Sequence, residues 1–285
     1  NEARLKYLSD KMGVDKLRQE FIDRCEFEVH PFRAMPEIQI EDWMGKHEQG
    51  DGKFFYGVFV ENGRIKDTDA IKLRTAFRKI IQTLNCSTTL TPQQSILFND
   101  LDETQIKQLE SILTEHHVPL LHELSNARRY SMACPSMPTC GLAVAESERV
   151  MPEFITEVEN ALAELGLADT QLTIRMTGCP NGCARPYTAD IALVGRRPGV
   201  YHLFVGGRLA GDRMADLYAA DVKIEAILET LKPLLTKFAV DRTPGEGLGD
   251  FYQRVLERTE SRTRVTGKEI PTFDDVQPKL IQIGA

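Results

Sequence analysis

Leu172-Thr-Ile-Arg-Met176 runs straight into Thr177-Gly-Cys-Pro-Asn-Gly-Cys183, and the fold is read outward from that junction. The first five residues favour a short strand. The loop that follows holds Cys179 and Cys183 with three residues between them. Pro180 removes a backbone donor and stiffens the turn, while Gly178 and Gly182 let backbone N–H groups approach sulfur. Upstream stands a second pair, Cys134 and Cys140, with five residues between them and Pro135 and Pro138 beside them. A helix that Pro152 opens and Gly166 closes separates the two pairs. Downstream, Asp190–Val194 and Val200–Val205 flank Arg-Pro-Gly and read as a hairpin. A helix over 223–238, a Gly-rich turn at Gly245–Gly249 and a polar tail from Glu260 complete this larger α/β portion.

The preceding portion has a different texture. Phe54–Val60 is rich in β-formers and ends at Asn62-Gly63, a hairpin-turn dipeptide. Apolar residues at helical spacing (Ile71, Leu73, Phe77, Ile80, Ile81, Leu84) predict a helix over 69–84. Thr88–Phe98 reads as a strand despite Pro92, and Asp102–His116 as a helix. The sum is a strand–helix–strand–helix layer of about 70 residues, so the fold class is α+β. Residues 2–25 read as two helices broken near Gly13, with Asp15 capping the second. The polar stretch Gly45–Gly52, after Pro31 and Pro36, marks a boundary.

The chain has 285 residues, 42% of them hydrophobic and 27% charged, which allows about two domains. A net charge of −7 with no basic tract argues against a nucleic-acid partner. No apolar run is long enough to span a bilayer, and the charged start Asn-Glu-Ala-Arg lacks a secretory stretch, so a cytoplasmic protein is expected. The chain lacks an initiator methionine, which suggests processing or excision from a longer chain.

Six cysteines without a secretory segment do not read as a disulfide scaffold. Cys25 and Cys86 stand alone and read as packing residues. Cys134, Cys140, Cys179 and Cys183 form two pairs, and four soft thiolates suit an iron–sulfur cluster. A four-cysteine zinc site stays open, although a five-residue gap is wide for one. A thioredoxin-like pair needs two intervening residues, which neither pair has. His116-His117 with His122 lacks supporting ligands and sits at a helix end, where such side chains suit the dipole. Arg128 and Arg129 read as surface or salt-bridging residues, and Gly206-Gly207 as a turn.

Ser131-Met-Ala-Cys-Pro-Ser-Met-Pro-Thr-Cys-Gly-Leu-Ala143 and Met176-Thr-Gly-Cys-Pro-Asn-Gly-Cys-Ala-Arg-Pro-Tyr187 resemble the two cluster motifs of the sulfite and nitrite reductase family. Asn1–Leu8, Glu61-Asn-Gly-Arg-Ile65, Thr91-x-x-Gln94, Ala145-Glu-x-Glu-Arg149, Leu193-Val-Gly195 and Gly245-Glu-Gly-x-Gly-Asp-Phe251 follow in family order. The resemblance implies a [4Fe–4S] cluster on Cys134, Cys140, Cys179 and Cys183, with Cys183 also ligating the iron of a sirohaem. Asn181, Gln94, Arg4 and Lys6 match positions near that sirohaem. It further implies six-electron reduction of sulfite to sulfide, with electrons from ferredoxin or a flavoprotein. Pro135-Ser-Met-Pro-Thr139 resembles the sulfite rather than the nitrite enzymes. The alternatives are a ferredoxin-dependent nitrite reductase and a stand-alone iron–sulfur electron-transfer module.

Family members are about twice this length and built from two related halves. By resemblance this chain is the C-terminal half: 1–46 the tail of the preceding domain, 47–121 a ferredoxin-like unit, and 122–285 the cluster- and sirohaem-binding domain. The cations that grip sulfite belong to the other half, so no catalytic residue is expected here and the fragment alone should be inactive.

Overall fold

The computed structural model describes residues 5–31 and 40–259. Arg4 and the tail from Glu260 lie outside the described residues. Residues 5–31 belong to one compact unit and Ile40–Arg258 to another. The first contains α1 (Leu5–Met12), which carries Lys6, and α2 (Val14–Asp23). Gly13 separates them with φ of 79° and takes the N-cap position of α2 without a side-chain cap bond. Asp15 is therefore not the cap. It lies in the first turn of α2, where a negative charge meets the positive end of the helix dipole.

The larger unit holds two sheets. The first contains β1 (Gly45–Glu48), β2 (Phe54–Val58), β3 (Thr88–Leu90) and β4 (Ile96–Leu101) in the order β1-β2-β4-β3, all antiparallel. The Gly-rich stretch read as a boundary thus supplies β1. The single strand expected over 88–98 is a hairpin: Pro92 and Gln94 lie in the turn between β3 and β4, Gln94 with φ of 64°. Asn62-Gly63 does not close a hairpin either. It forms a 3-10 turn, and β2 pairs with β1 and β4.

α3 (Leu73–Leu84) buries Leu73, Phe77, Ile80 and Leu84 of the face predicted for it, together with Ala76, whereas Ile81 is exposed and Ile71 precedes the helix. α4 (Glu103–Glu115) starts on a capping box in which Asp102 accepts from Gln105 N–H and Gln105 returns the bond. These helices share one apolar core with Tyr56, Val58, Ile96 and Phe98.

The second sheet contains β5 (Ser131–Ala133), β6 (Ile174–Thr177), β7 (Ile191–Arg197), β8 (Val200–Val205) and β9 (Asp216–Lys223), in chain order across the sheet. β5, β6 and β7 are parallel, and β7, β8 and β9 antiparallel. α5 (Asn126–Arg129) precedes β5, and α6 (Met151–Glu164) crosses over from β5 to β6 with proline in its first turn. α7 (Ile227–Asp241) and α8 (Leu248–Thr259) follow β9. Both faces of β6 and β8 are buried, and for β6, parallel to both neighbours, the crossover connections require it. Among the described residues no helix is long and apolar enough to cross a membrane.

Candidate metal centre

The parallel register pairs Ala133 with Met176, so β5 and β6 end side by side and release their loops at the same edge. That edge is where open α/β sheets present ligand-binding loops. Cys134 N–H extends the ladder by donating to Met176 O at 3.2 Å. Gly178 N–H then donates to Cys134 Sγ at 3.4 Å, and Gly178 O accepts from Val144 N–H and Ala145 N–H at 2.9 and 3.0 Å. The outgoing and returning arms of the first cysteine loop therefore both close on the second.

Gly178 is the joint, and it must be glycine. A Cβ there would lie 1.8 Å from Ser136 Oγ and 2.6 Å from Ala145 O. Ser136 is fully buried with φ of 52°, bonds Ala145 O through its hydroxyl, and accepts Cys140 N–H at 2.7 Å. Cys134 and Cys179 are buried, Cys140 is half-buried and Cys183 is exposed, with Asn181 exposed beside it. Among the described residues no three histidine, cysteine or acidic side chains are grouped to hold a single metal ion, the four cysteines and His116, His117 and His122 included. A cluster asks for a wider arrangement, since each of its four thiolates binds a different iron. His116 instead bonds Ile112 O at the end of α4.

The second loop is braced from below. Arg175 on β6 is 2% exposed, and its guanidinium donates to Arg185 O at 2.9 Å and Thr188 Oγ1 at 2.8 Å. Burial pushes its pKa down to about 10, with Arg185 adding to the effect, so it stays charged at neutral pH. Burial also raises the Tyr187 phenol, with Cys179 contributing, and that hydroxyl donates to Pro180 O at 3.3 Å. Sequence reading missed Arg175. The available signal was a cation inside Leu172-Thr-Ile-Arg-Met176, a strand otherwise built for burial.

The four-stranded half reaches this centre at several points. Gln94 donates to Ala133 O at 2.8 Å and accepts Ala133 N–H at 3.2 Å, completing the free edge of β5 one residue before Cys134. Asn62 donates to Glu148 O at 3.1 Å, and Arg64 makes a two-pronged bond to the Glu148 carboxylate at 2.6 and 2.7 Å. Arg128 bridges Glu61 and Glu159, and Arg129 holds Asp42, so both arginines are the salt-bridging residues expected. A cleft of about 360 Å³ lies between Gln94, Asn62, Arg64, Glu148 and Pro135. Cys86 packs against the core under the four-stranded sheet.

Residues 47–116 match the family model described as the nitrite/sulfite reductase ferredoxin-like half domain. The chain is 42% identical over 252 residues to the sulfite reductase [NADPH] hemoprotein beta-component of Staphylococcus saprophyticus, covering 88% of this chain and 44% of that protein. It is 40% identical over 261 residues to the sulfite reductase [ferredoxin] of Synechococcus elongatus, covering 89% of this chain and 40% of that one. The solved structure of the Mycobacterium tuberculosis NirA protein shares the fold, with a TM-score of 0.71 at 24% identity over 88% of this chain and 48% of that one. The chain belongs to the sulfite/nitrite reductase family. It spans less than half the length of the curated relatives named here.

Proposed function

We propose that this chain is the C-terminal, cofactor-carrying half of an assimilatory sulfite reductase. In this reading 1–46 end a preceding domain, 47–121 form the ferredoxin-like unit and 122–285 the cofactor-binding domain. The observation that carries it is the joining of two cysteine loops at Gly178, over the ends of adjacent parallel strands.

The residues fit a [4Fe–4S] cluster. The donor set is four soft thiols. Gly178 N–H already points at Cys134 Sγ, and such bonds stabilise negative sulfur. The burial of Cys134 and Cys179 keeps water from that side, while the exposure of Cys183 leaves room for a second group against its sulfur. Cys134, Cys140, Cys179 and Cys183 would hold the cluster and Cys183 also the sirohaem, and when bound these groups would supply the electron transfer and iron chemistry for six-electron reduction of sulfite. Asn181, Gln94, Arg4 and Lys6 are the residues proposed to face the sirohaem. Gln94 has a second task, since its amide holds the β5 edge. Cations that neutralise sulfite are assigned to the other half, and the electron donor to a ferredoxin or a flavoprotein.

The test is anaerobic purification of the full-length parent with each cysteine changed in turn to serine, a poor ligand for iron. Cys183→Ser should lose iron and the intense sirohaem absorption together, whereas Cys134→Ser should first lose cluster iron. Reduced methyl viologen should drive sulfite turnover by the parent and none by this chain alone. Retention of a coupled sirohaem in Cys183→Ser, or turnover by the isolated chain, would overturn the reading.

A further inference from the structure

Arg175 is the most enclosed charge in the described residues near the cysteine loops, and the cysteine chemistry leaves it unused. The residue is 2% exposed, and among the described residues no acidic side chain hydrogen-bonds its guanidinium, although the charge of Asp190 favours it from a distance. Its Nε is buried without a hydrogen-bond partner, as is the hydroxyl of Thr177, two residues along the same face of β6. Burying an uncompensated cation costs several kcal/mol in general, and proteins seldom retain one without a counter-charge. Here the neutral partners are the Arg185 carbonyl and the Thr188 hydroxyl.

The placement suggests a second counter-charge besides Asp190. Arg175 stands four residues before Cys179 and grips a carbonyl two residues after Cys183, so it spans the root of the second motif. Arg185 is a second cation whose charge acts on Arg175, although its own guanidinium bonds Pro92 O at 2.8 Å. Four thiolates on the loops that leave β5 and β6 form an anionic group, and its attraction to a buried guanidinium at the root of the second loop is weakly screened at low local dielectric.

We infer that Arg175 is a positioning residue whose buried charge raises the reduction potential of the centre held by Cys134, Cys140, Cys179 and Cys183. The inference rests on the cluster assignment made above. Reduction by one electron, supplied by ferredoxin, a flavoprotein or dithionite in a titration, adds one negative charge at the thiolate site without breaking a bond. A fixed cation below the loop favours that added charge. The acidic surface implied by a net charge of −7 disfavours it, so an internal cation has a definite task.

The experiment is an EPR-monitored redox titration of the full-length protein, purified anaerobically, with Arg175→Met, Arg175→Gln, Arg175→Lys and Thr188→Val. Both neutral variants should shift the midpoint to a more negative potential, and lysine should restore most of the shift. Thr188→Val, which removes one bond but no charge, should leave the potential at the wild-type value. An unchanged potential in Met and Gln overturns the inference, as does an equal shift in Thr188→Val, which would assign the effect to loop geometry. Loss of iron from both neutral variants with retention in lysine also overturns it, because the charge would then serve assembly rather than potential. Absence of any cluster signal in the wild-type protein would instead sink the underlying functional reading.

Discussion

In the four-stranded half, β2 and β4 bury Tyr56, Val58, Ile96, Phe98 and Leu101 with α3 and α4, and the polar residues buried there, Asp42, Asn62 and Ser95, lie at its margin. Asn62 bonds Glu148 O of the other half, and Ser95 accepts Val60 N–H. In the five-stranded half, Arg175, Thr177 and His202 are buried on the sheet itself. The contrast follows from what covers each sheet. Helices satisfy their own backbone, so an apolar face suits them. A loop such as 178–190 brings carbonyls that need donors, and a buried arginine can supply them. A sheet that supports loops must accept polar groups in its interior.

The largest test of that division is Phe98→Ala. Phe98 is fully buried and edge-on to Phe77 at 5.3 Å, so truncation should cost about 3–5 kcal/mol. Denaturant melts should show this loss, while iron bound per folded chain stays at the wild-type level. A parallel loss of iron at temperatures where the protein remains folded would mean that the two halves are not separable in this way.

Two glycines make the next comparison. At Gly57 a Cβ would meet Trp43 O at 1.9 Å, and at Gly178 it would meet Ser136 Oγ at 1.8 Å and Ala145 O at 2.6 Å. Alanine at either should cost about 1–3 kcal/mol through overpacking. Only Gly178→Ala should also empty the centre, measured as iron and acid-labile sulfide after anaerobic reconstitution. Gly141→Ala is the control, since nothing lies within 4 Å of its Cβ position.

Much of this was legible along the chain. Helical periodicity placed α3, Pro152 and Gly166 bracketed α6, and the cysteine spacing with its glycines and prolines marked both loops. What failed to show depends on contacts distant in sequence. β5 is three residues long and follows Arg128-Arg129-Tyr130, so only pairing with β6 defines it. β9 carries Asp216, Asp221 and Lys223 and reads as polar because it is an edge strand with partly exposed positions. Thr88–Phe98 looked continuous because Pro92 alone does not reveal that Gln94 adopts φ of 64°. Nor can spacing disclose that Gln94 lies against Ala133, 39 residues away.

That contact yields a smaller expected effect. Gln94→Ala removes two bonds from the edge of β5, a net loss of about 1–2 kcal/mol. Hydrogen exchange should accelerate first at the Ala133 amide, which loses its acceptor, and then at Cys134. Unchanged protection at Ala133 would show that the four-stranded half does not hold this strand.

The smallest effect concerns acid stability. In the five-stranded half, Glu246 accepts two bonds from Arg254 at 2.6 and 2.7 Å and one from Thr243 N–H at 2.9 Å, fastening α8 just after α7. These bonds, the arginine first, hold its pKa at about 2, against an ordinary value of 4.5. A carboxyl depressed by folding stabilises the native state above its unfolded pKa, and that contribution fades as pH falls towards the folded value. The window is therefore about pH 4.5 down to about 2. In the four-stranded half, Asp67 and Asp100 are also lowered by hydrogen bonds, Asp67 from Thr75 and Asp100 from Ser87 and Gln49, but Asp100 is exposed and Asp67 only half-buried at the surface, so both should add little. Glu246→Gln should thus melt below wild type at pH 7, and the gap should narrow steadily below pH 4.5 as the wild-type carboxylate takes up its proton. Thermal melts of the metal-free chain at stepped pH, beside Asp67→Asn, would measure it. A gap that stayed constant with pH, or one as large for Asp67→Asn, would show that Glu246 acts through packing rather than through its charge.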